Sequence, residues 1–278
     1  MDSIPFGVSR FDSILGGGAP TGTVVLLAGE SGAGAREFLY TSATMNALGH
    51  ADPDLFDLHY GELHEDAALP PEIHYVSFTA DETDLRREMA YTMDDEIVEH
   101  AFDGVTFRDL SAEYFRSSPV PREWYLGKTT SLVELGHGTE REELLNAFGT
   151  YLSEHAAGNL VLVDSVTDLV AATSEEMNWA DIAVLLKGLA KASHRWGGLI
   201  LLHVSVEALE PTELGHLIDA VDGTLAFEWE SGGSKRARTM VVQEFRGVLA
   251  QLEAENIVRF ETDIHEGGLD VSDVRKIR

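Results

Sequence analysis

The chain has 278 residues, 44% of them hydrophobic, which suits one large α/β domain, or a domain plus a small appendage, with ample material for a core. It carries 48 acidic against 20 basic residues, a net charge of −28, which disfavours unaided nucleic-acid binding, since neutralising phosphates needs a basic face. It has no cysteine, which excludes disulfides and thiolate metal sites; no apolar run nears the roughly 18 residues of a membrane span; and the N-terminus lacks the basic and apolar regions of a secretory signal.

Strand and helix signals alternate along the chain. Thr23–Ala28, an apolar run after a Gly-rich turn, is the first core strand, and Ala35–Leu48 has helical spacing with Phe38, Met45 and Leu48 facing the core. An acidic stretch, 49–72, reads as an insertion loop. Ile73–Phe78 is a second strand, Thr83–Thr92 a helix and Val105–Asp109 a third strand. Residues 111–138 lack periodicity and carry Pro119, Pro121 and Gly127, so they read as an irregular loop or lid. Thr139 and Glu142 form a capping-box pattern that opens a helix to about His155. Leu160–Asp164 is a buried strand, Glu175–Trp196 a long helix with a Leu185, Leu186, Leu189 stripe, and Leu199–His203 another strand. Strand-like runs Gly223–Trp229, Ala237–Phe245 and Ile257–Thr262 follow. Alternation followed by consecutive strands predicts a mostly parallel sheet with helices on both faces, extended by antiparallel C-terminal strands. Ligands of such folds sit beyond the C-terminal strand ends.

Gly29-Glu30-Ser31-Gly32-Ala33-Gly34-Ala35-Arg36 lies at such an end, between strand and helix, and its outer glycines fit G-x-x-x-x-G-K-[ST]. Glycines there let backbone N–H groups turn toward phosphate at a helix N-terminus. The phosphate-reaching Lys is Ala35, however, and the Mg²⁺-binding hydroxyl is Arg36, whose guanidinium would repel the ion; Glu30 adds negative charge. A Gly-rich turn without a ligand is the bland alternative.

The preceding segment, Ile4-Pro5-Phe6-Gly7 through Asp12 and Leu15-Gly16-Gly17-Gly18-Ala19-Pro20-Thr21-Gly22, resembles the lead-in to the P-loop of the KaiC-like and RadA-like branch of the RecA superfamily. The resemblance implies a RecA-like P-loop core over 1–278 as a single domain. It makes Leu160–Ser165 the Walker B strand, with Asp164 as the Mg²⁺-linked carboxylate. Arg246-Gly247 would close the late strand, with Arg246 available as a contact to a neighbouring subunit. It also implies assembly into rings or filaments, with copies of itself or with a catalytically intact relative.

The departures from the family pattern carry as much information. Where the family has paired catalytic carboxylates after its second strand, this chain has Thr79-Ala80; Asp81 and Glu82 lie just beyond, but the following residues align without a gap. Glu244 stands where the family has a trans-acting Lys. Phosphoryl transfer rests on positioning and charge stabilisation, so changes at Ala35, Arg36, Thr79-Ala80 and Glu244 point to a degenerate P-loop. The expectation is therefore a non-hydrolysing regulatory or scaffold protein in signalling or gene control. An ATP-binding protein of weak or unusual ATPase activity is the alternative, and a recombinase-like DNA binder ranks below both. No catalytic residue is assigned. Gly29 to Arg36 with Asp164 form a vestigial nucleotide site, in which ATP with Mg²⁺ on Asp164 remains open as a weak ligand.

The acidic excess runs along the whole chain. Self-repulsion of this size opposes folding at low ionic strength and is screened in molar salt, where the Debye length falls to about 3 Å. This reads as adaptation to a salt-rich cytoplasm of the haloarchaeal kind. His59, His64 and His74 among acidic neighbours match no metal-site spacing and read as a solvated loop. Ser165, Asp164 and His203 lack a nucleophile elbow; His203 is either a sensor of bound phosphate or a packed side chain. Tyr114, Phe115, Trp124 and Tyr125, with Arg116 and Arg122, either form a partner patch or seal the lid.

Overall fold

The computed structural model describes residues 3–116, 118–125, 140–173, 177–230, 237–246, 248 and 259–272. The strands in chain order are β1 (Ser3–Ile4), β2 (Ala19–Pro20), β3 (Thr23–Gly29), β4 (Ile73–Ser77), β5 (Val105–Asp109), β6 (Leu160–Asp164), β7 (Leu199–Ser205), β8 (Gly223–Glu230), β9 (Ala237–Phe245), β10 (Arg259–His265) and β11 (Gly268–Ser272). The helices are α1 (Ser9–Ile14), α2 (Ala35–Ala51), α3 (Pro53–His59), α4 (Glu82–Thr92), α5 (Asp95–Ala101), α6 (Ser111–Phe115), α7 (Glu140–His155), α8 (Val166–Thr173), α9 (Trp179–Trp196) and α10 (Pro211–Ile218).

Nine strands form one sheet in the order β11-β10-β9-β8-β3-β7-β6-β4-β5. From β8 to β5 every pairing is parallel; β9, β10 and β11 add on in antiparallel fashion. This is the predicted architecture. Parallel strands covered on both faces must be apolar throughout, and β3 shows it. Val25 and Leu27 pack into the core beneath α2, whereas Val24, Leu26 and Ala28 pack beneath α7, α8 and α9. In β6, Leu160 and Leu162 take the first core, Val161 and Val163 the second.

The N-terminal motif is a structural clamp. Fully buried Asp12 accepts hydrogen bonds from the Phe6 N–H at 2.7 Å, the Gly7 N–H at 2.9 Å and the Tyr60 hydroxyl at 3.0 Å. The clamp folds Phe6 and Phe11 against Phe38 of α2, and β1 pairs with β2 across the glycine turn. Gly18 is required there, with φ at +117° and room for a Cβ closed off by the Ile4 carbonyl.

Several sequence readings need correction. The 49–72 stretch is not a bare loop: α2 runs on to Ala51, and α3 follows at once because Asp52 caps it, accepting from the Leu55 N–H, with Pro53 at its first position. The long helix over 175–196 begins only at Trp179, where Asn178 and Asp181 form a capping box. The sequence patterns do not announce helices α1, α5, α8 and α10 or strands β1, β2 and β11. Within 111–138, α6 and a short turn at Arg122–Trp124 stand where the sequence reads as irregular. Tyr114 packs onto the second core while Trp124 is exposed. Thr139, Gly247 and the remainder of 111–138 beyond Tyr125 lie outside the described residues.

Candidate functional site

The glycine loop sits beyond the C-terminal end of β3, as predicted, and opens directly into α2. Gly34 is the residue before the helix, at φ +116°, and Gly32 has φ +71°. A Cβ at Gly29 would lie 2.6 Å from that of Ala35. No side-chain cap is made at the start of α2, and its first residues, Gly34 to Glu37, line the cleft.

The loop is braced from outside by β8 and β9. The Trp229 indole N–H donates to the Ser31 carbonyl at 3.0 Å, and Arg238 Nε donates to the Gly32 carbonyl at 2.9 Å. The Arg238 guanidinium lies over the Trp229 ring, 4.8 Å from its centroid. The Glu30 carboxylate accepts from the Trp229 backbone N–H at 3.0 Å, which ties this acidic group to β8. Ser31 donates to Glu207. A cleft of about 380 Å³ remains, lined by Gly29 to Gly32, Gly34 to Glu37, His203 and Ser205.

Asp164, at the end of β6, is the centre of a closed network. Arg36 reaches it twice, Nε to Oδ2 at 3.1 Å and Nη2 to Oδ1 at 3.2 Å. The Tyr75 hydroxyl donates to Oδ2 at 3.0 Å, and His203 Nδ1 lies 3.0 Å from Oδ1. Burial by itself would raise the Asp164 carboxyl. The His203 hydrogen bond and the Arg36 charge outweigh burial and hold it below the usual carboxylate range. Burial, reinforced by the Asp164 charge, pushes the Tyr75 hydroxyl well up, so it stays a donor.

Sequence reasoning identified Arg36 as a residue that would repel Mg²⁺. The structure adds what the guanidinium does: it grips the carboxylate that would hold the ion. The Mg²⁺ that the sequence resemblance implies does not fit this arrangement, because both Asp164 oxygens already face donors and a fixed positive charge stands beside them. The partners of Asp164 come from α2, β4 and β7, and no spacing in the sequence announces that Arg36, Tyr75 and His203 converge on it.

The other expected groups are placed as follows. Ala35 is buried beside Gly29 and reaches nothing polar. The Thr79 and Ala80 N–H groups donate to Ser77 Oγ at 3.3 and 3.0 Å, forming a tight turn after β4. Asp81 caps α4 by accepting from the Asp84 N–H at 2.9 Å, and Asp81 and Glu82 are both exposed. Ser165 Oγ donates to Asp168 at 2.5 Å and accepts from its N–H at 3.2 Å, so its hydroxyl is engaged in starting α8. Arg246 does not approach its own glycine loop. It pairs with Asp222 at 3.5 Å, level with Val24, five residues before the strand end and hence roughly 16 Å away. Glu244 stands opposite Thr224 on β8, between those levels.

No family model matches the chain, and no curated protein matches it by sequence. Among solved structures it is similar to a KaiC-like protein of the hyperthermophilic archaeon Pyrococcus horikoshii OT3. The two superpose with a TM-score of 0.60 at 16% identity, over 97% of this chain and 98% of the other. The fold is KaiC-like. In this KaiC-like frame the glycine loop and Asp164 occupy the strand ends where the sequence placed them, with Arg36 bridging the two. Among the described residues, no helix is long and apolar enough to cross a membrane.

Proposed function

We propose that this KaiC-like chain is a non-hydrolysing regulatory or scaffold protein, acting by binding partners in a salt-rich cytoplasm. The observation that carries the reading is the Arg36–Asp164 pair. A P-loop ATPase needs an accessible carboxylate for Mg²⁺ and a cation on the terminal phosphates. Here the carboxylate is engaged by an internal guanidinium, position 35 is Ala, and the turn after β4 carries no carboxylate at Thr79 or Ala80. Loss of a single transition-state donor costs on the order of 10²–10³ in rate, and these losses all act on one reaction. The partner is a second copy or an intact relative of the same fold, and the half-exposed Arg246 lies on a surface such a partner could cover.

A second reading is favoured by a specific feature, the open cleft. The Arg36 side chain is 48% exposed beside the uncapped start of α2, so an anion could still be held there by backbone N–H groups and a guanidinium. That chain would bind ATP without turning it over at an ordinary rate. Phosphate release from Mg-ATP in multimolar KCl distinguishes these readings from a working ATPase. No release above a protein-free blank is expected. Robust turnover that disappears in Asp164→Ala defeats the proposal.

A further inference from the structure

At the opposite end of the sheet, a distant histidine joins two potential ligand groups that are close in sequence. Glu72 and His74 are two residues apart on the approach to and in β4, so they project to the same side. Tyr151 and His155 are four apart on α7 and share a helix face. The two pairs meet. His74 Nε2 is 3.1 Å from Glu72 Oε2, His74 and His155 have ring centroids 5.0 Å apart, and one ligand atom from each of Glu72, His74 and His155 falls within 4.8 Å of the others.

We propose that Glu72, His74 and His155 form a binding site for a borderline divalent cation of the Zn²⁺ class. Two imidazoles and a carboxylate with an open fourth position are a ligand set for Zn²⁺, and Co²⁺ or Ni²⁺ would substitute. Ligands about 2.0 Å from a tetrahedral ion stand roughly 3.3 Å apart, close to the His74–Glu72 separation. The surroundings orient the ligands. His74 is buried, and its other ring nitrogen, Nδ1, lies 2.8 Å from the Tyr151 hydroxyl, which can accept its proton and leave Nε2 free to ligate. Glu72 is held at two points by buried Asn159: its N–H donates to Oδ1 at 3.2 Å, and its carboxylate accepts from Nδ2 at 3.3 Å. The Arg108 guanidinium, 6.0 Å above the Tyr151 ring, is paired with Glu113 at 3.2 Å. Glu72 and His155 are the more open members, which gives an ion a path in. A bound ion would tie the end of α7 to the start of β4, on the sheet end away from the glycine loop.

The test is a calorimetric titration of the purified full chain with ZnCl₂ in KCl with excess Mg²⁺, alongside Co²⁺ absorption spectra. One tight equivalent with tetrahedral Co²⁺ bands is expected. His155→Ala and Glu72→Gln should each weaken it at least tenfold while circular dichroism stays native. Tyr151→Phe should weaken it about 10–100-fold through loss of the ligand's orienting partner. His59→Ala, in the acidic surface stretch, should leave it unchanged. No tight equivalent, or one that survives in both His155→Ala and Glu72→Gln, overturns the proposal and leaves an ordinary Glu72–His74 hydrogen bond. Should His155→Ala fail to fold, Glu72→Gln decides, since Glu72 is exposed.

Discussion

Replacing Arg36 by Ala would leave Asp164 buried without its positive partner. Removing one member of a fully buried ion pair costs about 3–5 kcal/mol, and an exposed pair is worth about 0.2–1 kcal/mol. The Asp164 side chain is 12% exposed and that of Arg36 48%, and Tyr75 and His203 would still hold the carboxylate. The loss therefore falls between those limits, at about 1–3 kcal/mol. For a chain of this length, roughly 2 °C accompanies each kcal/mol, so thermal unfolding should drop by about 2–6 °C. The assay is a thermal melt of wild type, Arg36→Ala, Asp164→Asn and the double variant in molar KCl. The double variant should be less destabilised than the sum of the singles, giving a coupling of about 1 kcal/mol or more. Arg36→Ser adds a second readout. It frees Asp164 and restores a hydroxyl at the motif position, so millimolar Mg²⁺ should stabilise this variant and leave wild type unmoved. Additive single effects together with an indifferent Arg36→Ser would refute the reasoning.

Other consequences can be measured on the same material. Burial raises the Asp12 carboxyl from 3.8 to about 7, so between those values the folded chain holds a proton that the unfolded chain releases. That contribution to stability is complete below pH 3.8 and is lost as pH rises through 7; urea unfolding of Asp12→Asn should show a flatter pH profile across the window, and an unchanged slope contradicts the assignment. Gly34→Ala places a Cβ at φ +116° and 3.0 Å from Leu269 Cδ1. It should cost about 1–3 kcal/mol, read by the same melts, and a neutral result would mean that the loop relaxes freely. With a charge of −28, the unfolding temperature should climb steadily from low salt to molar KCl; a flat response would contradict salt adaptation.

The frame of the molecule was legible because it depends on local spacing. Glycines at 29 and 34 mark a strand-to-helix turn, and the unbroken Val and Leu runs of 24–27 and 160–163 mark strands buried on two faces. Asp12 was recognisable as part of a motif, but its work as a clamp on Phe6 and Gly7 needed the fold. Helices α5 and α8 are short, and their burial is decided by what they cover, α2 for α5 and β7 for α8. The chemistry was least legible where contacts are long-range. Arg36 meets Asp164 across 128 residues, and His203 meets it across 39. His74 reads as one of several histidines in an acidic stretch, yet its neighbours are Tyr151 and His155. Periodicity cannot report such meetings, because they are fixed by strand order.

Everything proposed for the cleft depends on a guanidinium having displaced a metal ion from its carboxylate. Titration of ATP into wild-type protein in multimolar KCl, once with Mg²⁺ and once with a chelator, tests that displacement directly. The same binding curve in both conditions is predicted, whatever its midpoint. Binding that tightens tenfold or more with Mg²⁺, and loses that gain in Asp164→Asn, would show that the carboxylate still serves a metal.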